Sequence, residues 1–95
     1  MAIDFSKFRG TPFQKSVWKA IGNIPRGKTL SYKAIAMIIG YPMAHRAVAS
    51  AAKNCPIPNL PCHRVIRSDG TIGEYSGLGG VETKRKLLAA EGIFL

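Results

Sequence analysis

Apolar residues recur at helical spacing in several stretches of the chain, and proline-broken, glycine-rich segments separate the later ones. Phe13, Val17, Trp18 and Ile21 fall on one face of a first helix. Its start is written at Thr11, a hydroxyl N-cap, with Pro12 where a missing N–H costs nothing and Gln14 placed to close a capping box. Gly22 stops it, and "IPRGKTL" reads as a connecting loop. Ser31 can cap a second, short helix whose stripe is Tyr32, Ile35, Ala36 and Ile39, ending at Gly40. Only Gly40-Tyr41-Pro42 separates that stop from a third helical stretch, "MAHRAVASAAKN". Two short helices crossing at a glycine-bearing turn make a helix-turn-helix pattern. The periodicity turns Met43, Ala47, Val48 and Ala51 inward and Arg46, Ala49, Ser50 and Lys53 outward.

After the third helix, Pro56, Pro58 and Pro61 forbid helix and stiffen the chain as it delivers Cys62. "RVIRSDGTIG" reads as a β-hairpin turning at Asp69-Gly70, and a ribbon beside a helix-turn-helix has the form of a wing. A glycine-rich loop, "GEYSGLGG", leads to a last helix carrying Val81, Leu87 and Leu88, with Glu82 and Lys86 spaced for an i, i+4 pair. The expected fold is therefore mainly α, a winged-helix-like helix-turn-helix domain with a small β-hairpin. Residues 1–95 are read as one domain, without repeats or linkers.

The charge balance narrows the partners. Fourteen Lys and Arg against five Asp and Glu give a formal net charge of +9, so a polyanion, and nucleic acid first, is the natural partner. A solvated cationic face that only keeps the protein soluble is the alternative. The outward face of the third helix bears on the choice: small residues between Arg46 and Lys53 let a helix backbone approach a phosphate chain. A buried alanine-rich packing face would explain the same alanines without nucleic acid. No apolar run approaches the ~20 residues that span a bilayer, and the first ten residues lack a secretory apolar core. A soluble protein in the cytoplasm, not associated with membrane, is the expectation. Cys55 and Cys62 form neither a Cys-x-x-Cys pair nor a disulfide framework, so both are read as reduced. A metal site would have to recruit His45 and His63 at a spacing that matches no familiar finger. No metal and no cofactor is expected.

One constellation is more specific than the rest. Pro61-Cys62-His63-Arg64-Val65, with Ser31-Tyr32 and Arg46-Ala47-Val48 upstream and Tyr75-Ser76-Gly77 downstream, resembles the O6-alkylguanine-DNA alkyltransferases over about residues 11 to 92. The resemblance implies repair of O6-alkylguanine in double-stranded DNA by direct transfer of the alkyl group to Cys62, by a monomer. It implies a helix-turn-helix in the minor groove, with Ala49, Ser50 and Lys53 on the DNA and Arg46 filling the gap left by an extruded base. Cys62 would be the nucleophile, His63 its base, Glu91 the group orienting His63, and Tyr32 the proton donor to the departing guanine. Val65, Tyr75 and Ser76 would address the substrate, with Gly73 and Gly77 letting the loop approach. Without the resemblance, Tyr32 reads as a core aromatic, Tyr75 as a loop anchor, Glu91 as a helix-end acid and Arg46 as a solvated charge.

The chemistry sets its own demands. A thiol with an ordinary pKa of about 8.5 is mostly protonated at neutral pH and needs a base. Consecutive side chains on an extended strand point to opposite faces, so a bent backbone or a bridging water must lie between Cys62 and His63. A thioether has no easy hydrolytic exit, so each molecule would act once. This chain also departs from the family pattern: Cys55 stands where relatives generally have asparagine before proline, and the span from Arg46 to Cys62 is one residue shorter. A thiol is a weak donor and acceptor compared with that amide. The alternative is therefore a lesion-sensing DNA-binding protein without transfer, as in relatives that carry tryptophan in place of the cysteine.

Overall fold

The computed structural model describes residues 7–57, 60–73 and 79–95. Its elements in chain order are α1 (Pro12–Gly22), β1 (Leu30–Ser31), α2 (Tyr32–Ile38), α3 (His45–Lys53), a single 3-10 turn (Cys62–Arg64), β2 (Val65–Ile66) and α4 (Gly80–Ala90). The helix boundaries follow from local chemistry. Thr11 Oγ1 accepts the Gln14 N–H at 3.1 Å and Gln14 Oε1 accepts the Thr11 N–H at 2.9 Å, a complete capping box at the head of α1. Ser31 Oγ accepts the Ala34 N–H at 2.9 Å and starts α2. Gly40, at φ +87°, ends the second helix in a left-handed cap. The Tyr41 N–H reaches back to Ala36 O and the Gly40 N–H to Met37 O, which satisfies two carbonyls of the last turn. The chain then re-enters helix at His45 as a helix-turn-helix.

Val17, Trp18 and Ile21 from α1, Ile35 and Ala36 from α2, and Val48, Ala51 and Ala52 from α3 bury one core, closed by Ile24, Ile57, Leu60 and Val65. Trp18 does more than fill space. Its Nε1 donates to Ala51 O at 2.9 Å, and near the end of α3 the Cys55 N–H turns to Ala52 O, so the indole takes up an orphan carbonyl. Two expectations are corrected here. Met43 is 90% exposed and Ala47 is exposed as well, with Ala52 taking the inward place. Helix α3 begins only at His45, which leaves Met43 in the preceding turn, and Ala47 sits roughly a quarter turn from the centre of the arc formed by Val48, Ala51 and Ala52. The second correction concerns the hairpin. The Asp69-Gly70 turn is present, with Gly70 N–H on Arg67 O, Arg67 N–H on Thr71 O, and both Thr71 N–H and Oγ1–H on Asp69 Oδ1. Yet β2 pairs in parallel with β1, Leu30 opposite Val65 and Ser31 opposite Ile66, so among the described residues the sheet is a crossover pair and not a ribbon. A fully buried Val65 has to lie against the core, and the edge offered by β1 is already there.

Helix α4 is joined to this body by charge as much as by Leu88, which is buried, while Leu87 is 37% exposed. At its C-cap, Glu91 accepts from Arg64 Nε at 2.8 Å on one oxygen and from Arg64 Nη2 at 2.9 Å on the other. Arg64 Nη1 donates onward to Ile24 O at 2.8 Å, and Arg26 Nη2 donates to Ala90 O at 2.9 Å. One bidentate pair thus ties α4, the 3-10 turn and the loop after α1.

Two predictions follow from these contacts. Trp18→Phe keeps the ring but strands the Ala51 carbonyl, so urea unfolding should show a loss of about 1–3 kcal/mol. Glu91 is held down to about 2 from an ordinary 4.5, first by Arg64 and then by His63. A carboxylate whose folded pKa is depressed stabilises above its unfolded value and loses that contribution as pH falls through the folded one. The wild-type melting temperature should therefore drop between about pH 4.5 and 2, and Glu91→Gln should start lower with a shallower acid limb.

Candidate active site

The parallel pairing of β1 with β2 is what assembles the site. Ser31 ends β1 and Tyr32 begins α2, while Cys62, His63 and Arg64 form the turn that runs directly into Val65. The parallel register carries Tyr32 toward the Arg67 end of β2, while the Cys-His-Arg turn enters β2 at its other end. That segment is bent, as the chemistry requires. Pro61 precedes a 3-10 turn in which the Arg64 N–H bonds Pro61 O at 3.0 Å and the Cys62 N–H bonds Leu60 O at 2.7 Å. The extended geometry that would have opposed Cys62 and His63 is absent.

His63 Nε2 lies 2.8 Å from Glu91 Oε2, with the histidine side chain 12% and the glutamate 6% exposed. Because Arg64 holds Glu91 ionised, that carboxylate can only accept. Nε2 therefore carries the proton, and Nδ1 is left as the basic nitrogen of the ring. Glu91 Oε1 also receives the Gly27 N–H at 3.4 Å, from the loop after α1. The predicted His63–Glu91 pair is thus brought together, and Arg64 is its unforeseen third member.

Cys62 is half-buried and rests on the core beside Cys55. Contact between the two thiols raises the proton affinity of Cys62, and burial raises it further. The same contact lowers Cys55 from 9.0 to about 7, helped by the Ile57 N–H, which points at Cys55 Sγ from 3.5 Å.

Lys84 is the buried charge beside these residues that pattern reading missed. It is fully buried on α4, and its Nζ donates to Val65 O at 2.6 Å. Burial pulls it from 10.5 down to about 8, against the opposing pull of Cys62. Within "KRK" it looks like surface charge, but Val81, Lys84, Leu88 and Glu91 follow the 3-4-3 spacing of one helix face, and that spacing was the available signal. A Cβ built on Gly73, which has φ +74°, would stand 3.6 Å from both Lys84 Nζ and the Tyr32 hydroxyl. The lysine, the phenol and this glycine therefore meet at one point, where the left-handed backbone rather than lack of room favours glycine.

The remaining candidates divide. Arg46, Ser50 and Lys53 are exposed and Ala49 is half-buried, so the outward face of α3 is as expected. Val65 has its side chain in the core and its carbonyl on Lys84, which leaves it no side chain to offer a ligand. Tyr75 and Ser76 lie outside the described residues. An open groove of about 440 Å³ runs between the turn joining α2 to α3 and the 67–69 turn. Tyr32, Lys33, Met43, His45 and Arg67 are among its lining residues, so Tyr32 links the groove to the site.

Residues 12–93 match the family described as 6-O-methylguanine DNA methyltransferase, DNA binding domain. A methylated-DNA--protein-cysteine methyltransferase of Mus musculus is 47% identical over 94 residues, covering 97% of this chain and 44% of its own length. One of the same name from Methanosarcina barkeri is 52% identical over 83 residues, covering 86% of this chain and 51% of its own. The chain thus spans about half the length of these curated relatives. Among solved structures, Mycobacterium tuberculosis OGT in complex with DNA superposes with a TM-score of 0.81 at 50% identity, over 87% of this chain and 51% of that one. The S. pombe ATL protein, in complex with damaged DNA containing O6-carboxymethylguanine, superposes at 0.79 with 36% identity, over 90% of this chain and 81% of that one. With 82 of its 95 residues inside the family match, the chain belongs to the 6-O-methylguanine DNA methyltransferase family, through its DNA-binding domain.

Proposed function

We propose that this chain binds double-stranded DNA and repairs O6-alkylguanine by moving the alkyl carbon from O6 to Cys62 Sγ, once per molecule. The observation that carries the reading is the His63–Glu91 pair directly after Cys62 at the start of β2, with the Tyr32 hydroxyl beside Lys84, whose Nζ donates to the Val65 carbonyl of the same strand. Cys62 gives up its proton to a base, for which His63 Nδ1 is free once Nε2–H is committed to Glu91. The Glu91 charge then stabilises the imidazolium, as the third member of such a relay does. The sulfur attacks the alkyl carbon as the carbon–O6 bond breaks, and the departing purine takes a proton from Tyr32. The Lys84 ammonium stabilises negative charge left on the phenol or on the sulfur. A carbon–sulfur bond in the product ends the reaction.

On DNA, the outward residues of α3 supply the contacts, Lys53 and the small Ala49 and Ser50 toward the backbone and Arg46 into the space of the extruded base. Tyr75 and Ser76 belong to the substrate loop in this reading. Such a protein acts where DNA is, and in a cell without a nucleus that is the cytoplasm. A second reading, binding of the lesion without transfer, has one observation in its favour: contact with Cys55 opposes ionisation of Cys62.

The two readings separate on intact mass. After incubation with duplex DNA bearing O6-methylguanine, the protein should gain one methyl group on Cys62, and Cys62→Ala should retain binding without the gain. An unchanged mass with tight lesion binding would support the second reading instead. Arg46→Ala should weaken discrimination for lesion over undamaged duplex by about tenfold or more, because gap filling concerns only the extruded base. Lys19→Ala, at an exposed position on α1, should lower both affinities alike. Equal losses in the two variants would remove Arg46 from that role.

A further inference from the structure

His63 and Arg64 are consecutive, and both reach one carboxylate. The 3-10 turn allows it, closed by the Arg64 N–H on Pro61 O at 3.0 Å, where an extended segment would send the two side chains to opposite faces. Glu91 Oε2 lies 2.8 Å from His63 Nε2 and 2.9 Å from Arg64 Nη2, while Oε1 takes Arg64 Nε at 2.8 Å. The imidazole and the guanidinium therefore share one oxygen of one charge. Side-chain exposures of 12% for His63, 15% for Arg64 and 6% for Glu91 leave little water to screen the three. The guanidinium is pinned by its remaining nitrogen, because Nη1 donates to Ile24 O at 2.8 Å. Of the other cations around the turn, Lys84 on α4 donates to Val65 O and Arg26, in the loop after α1, donates to Ala90 O. Cys62 precedes the ring on the same turn.

We propose that Arg64 is a positioning residue for the transfer, one that shares the Glu91 charge with His63 and so keeps the resting imidazole a neutral base. The consequence for rate rests on the repair reading, whereas the charge sharing rests on the geometry alone. A carboxylate at hydrogen-bond distance favours the protonated ring. Acting by itself, Glu91 would fill Nδ1 with a proton before Cys62 had one to give. A guanidinium fixed on the same carboxylate offsets that attraction, because one cation disfavours a second within the same few ångströms. Arg64 thus acts on the ring in two ways. It keeps Glu91 ionised and oriented, so that Nε2–H stays committed, and it cancels part of the field that would otherwise protonate Nδ1. The proton from Cys62 then arrives at a ring whose partner is already in place, without reorganisation at the moment of reaction. Lysine would not serve equally, since a point charge cannot hold both carboxylate oxygens and the Ile24 carbonyl at once.

The test uses two substitutions in the full chain that change the charge at this point in opposite senses. Arg64→Gln leaves the carboxylate alone with the ring, so His63 should hold its second proton to a pH higher by about one unit. Glu91 stays ionised there, since its ordinary value is 4.5. Glu91→Gln leaves the guanidinium instead, and that proton should be lost at lower pH than in the wild type. Proton NMR of the ring Hε1 over about pH 5 to 8 reads both shifts, with His45→Gln showing which histidine signal is which. The acid limb of the single-turnover methyl-transfer rate should move with the NMR midpoint in each variant. Arg26→Ala removes another tie of α4 without touching Glu91, and it should leave midpoint and limb in place. Midpoints that move the same way in Arg64→Gln and Glu91→Gln, or do not move, would overturn the proposal. If Arg64→Gln does not fold, the double variant with Glu91→Gln joins two neutral amides, and its midpoint should return upward from that of Glu91→Gln; no return would overturn it equally. Opposite NMR shifts without methyl uptake would leave the charge sharing standing and remove the repair reading. Methyl uptake with unmoved midpoints would do the reverse.

Discussion

A single carboxylate organises this molecule. Glu91 accepts two hydrogen bonds from Arg64, engages Nε2 of His63 and receives a backbone N–H from Gly27, at only 6% side-chain exposure. Each partner belongs to a different part of the chain, so the position of α4, the conformation of the 3-10 turn and the tautomer of His63 are one constraint. A buried charge of this kind is tolerable because its lone pairs are filled and its partner is bidentate. The same charge that holds the helix fixes which nitrogen of the imidazole is basic. Structure and proposed chemistry therefore depend on it together, and loss of the pair would disturb both.

The second organising device is small. Two residues of β1 against two of β2 would be negligible as a sheet, yet their register carries Tyr32 toward the Arg67 end of β2, where its hydroxyl lies by Gly73 and Lys84. The strands are stable there because Val65 is wholly buried, and because the Val65 carbonyl is taken by Lys84. A lysine at this depth loses hydration, and it gives up part of its proton affinity for that reason. What it gains is a fixed position within reach of the phenol and the nucleophile, where a partial positive charge has its largest effect.

Much of the framework was legible in the chain, and the reasons are local. Capping chemistry announced α1 and α2 because Thr11, Pro12, Gln14 and Ser31 act on neighbours within three or four residues. Gly40 announced the turn between α2 and α3 because only a left-handed residue completes that cap. Long-range facts were not legible. The Asp69-Gly70 turn forms as read, but the partner of β2 is decided by core burial and comes from residue 30, beyond any local signal. Lys84 was hidden because its charge argued for solvent while its spacing argued for the core, and here the spacing wins through one hydrogen bond. Arg64 was read only as part of a motif. Its role depends on Ile24 and Glu91, forty and twenty-seven positions away.

The site's balance turns on Cys55. An amide there would connect the end of α3 to the active segment without competing for the proton of Cys62. A thiol instead raises the proton affinity of Cys62, and burial raises it further. Two features oppose this arrest. Lys84 draws the charge toward Cys62, and an alkylated base arriving in the site would exclude water and strengthen that attraction. The substitution therefore need not abolish transfer.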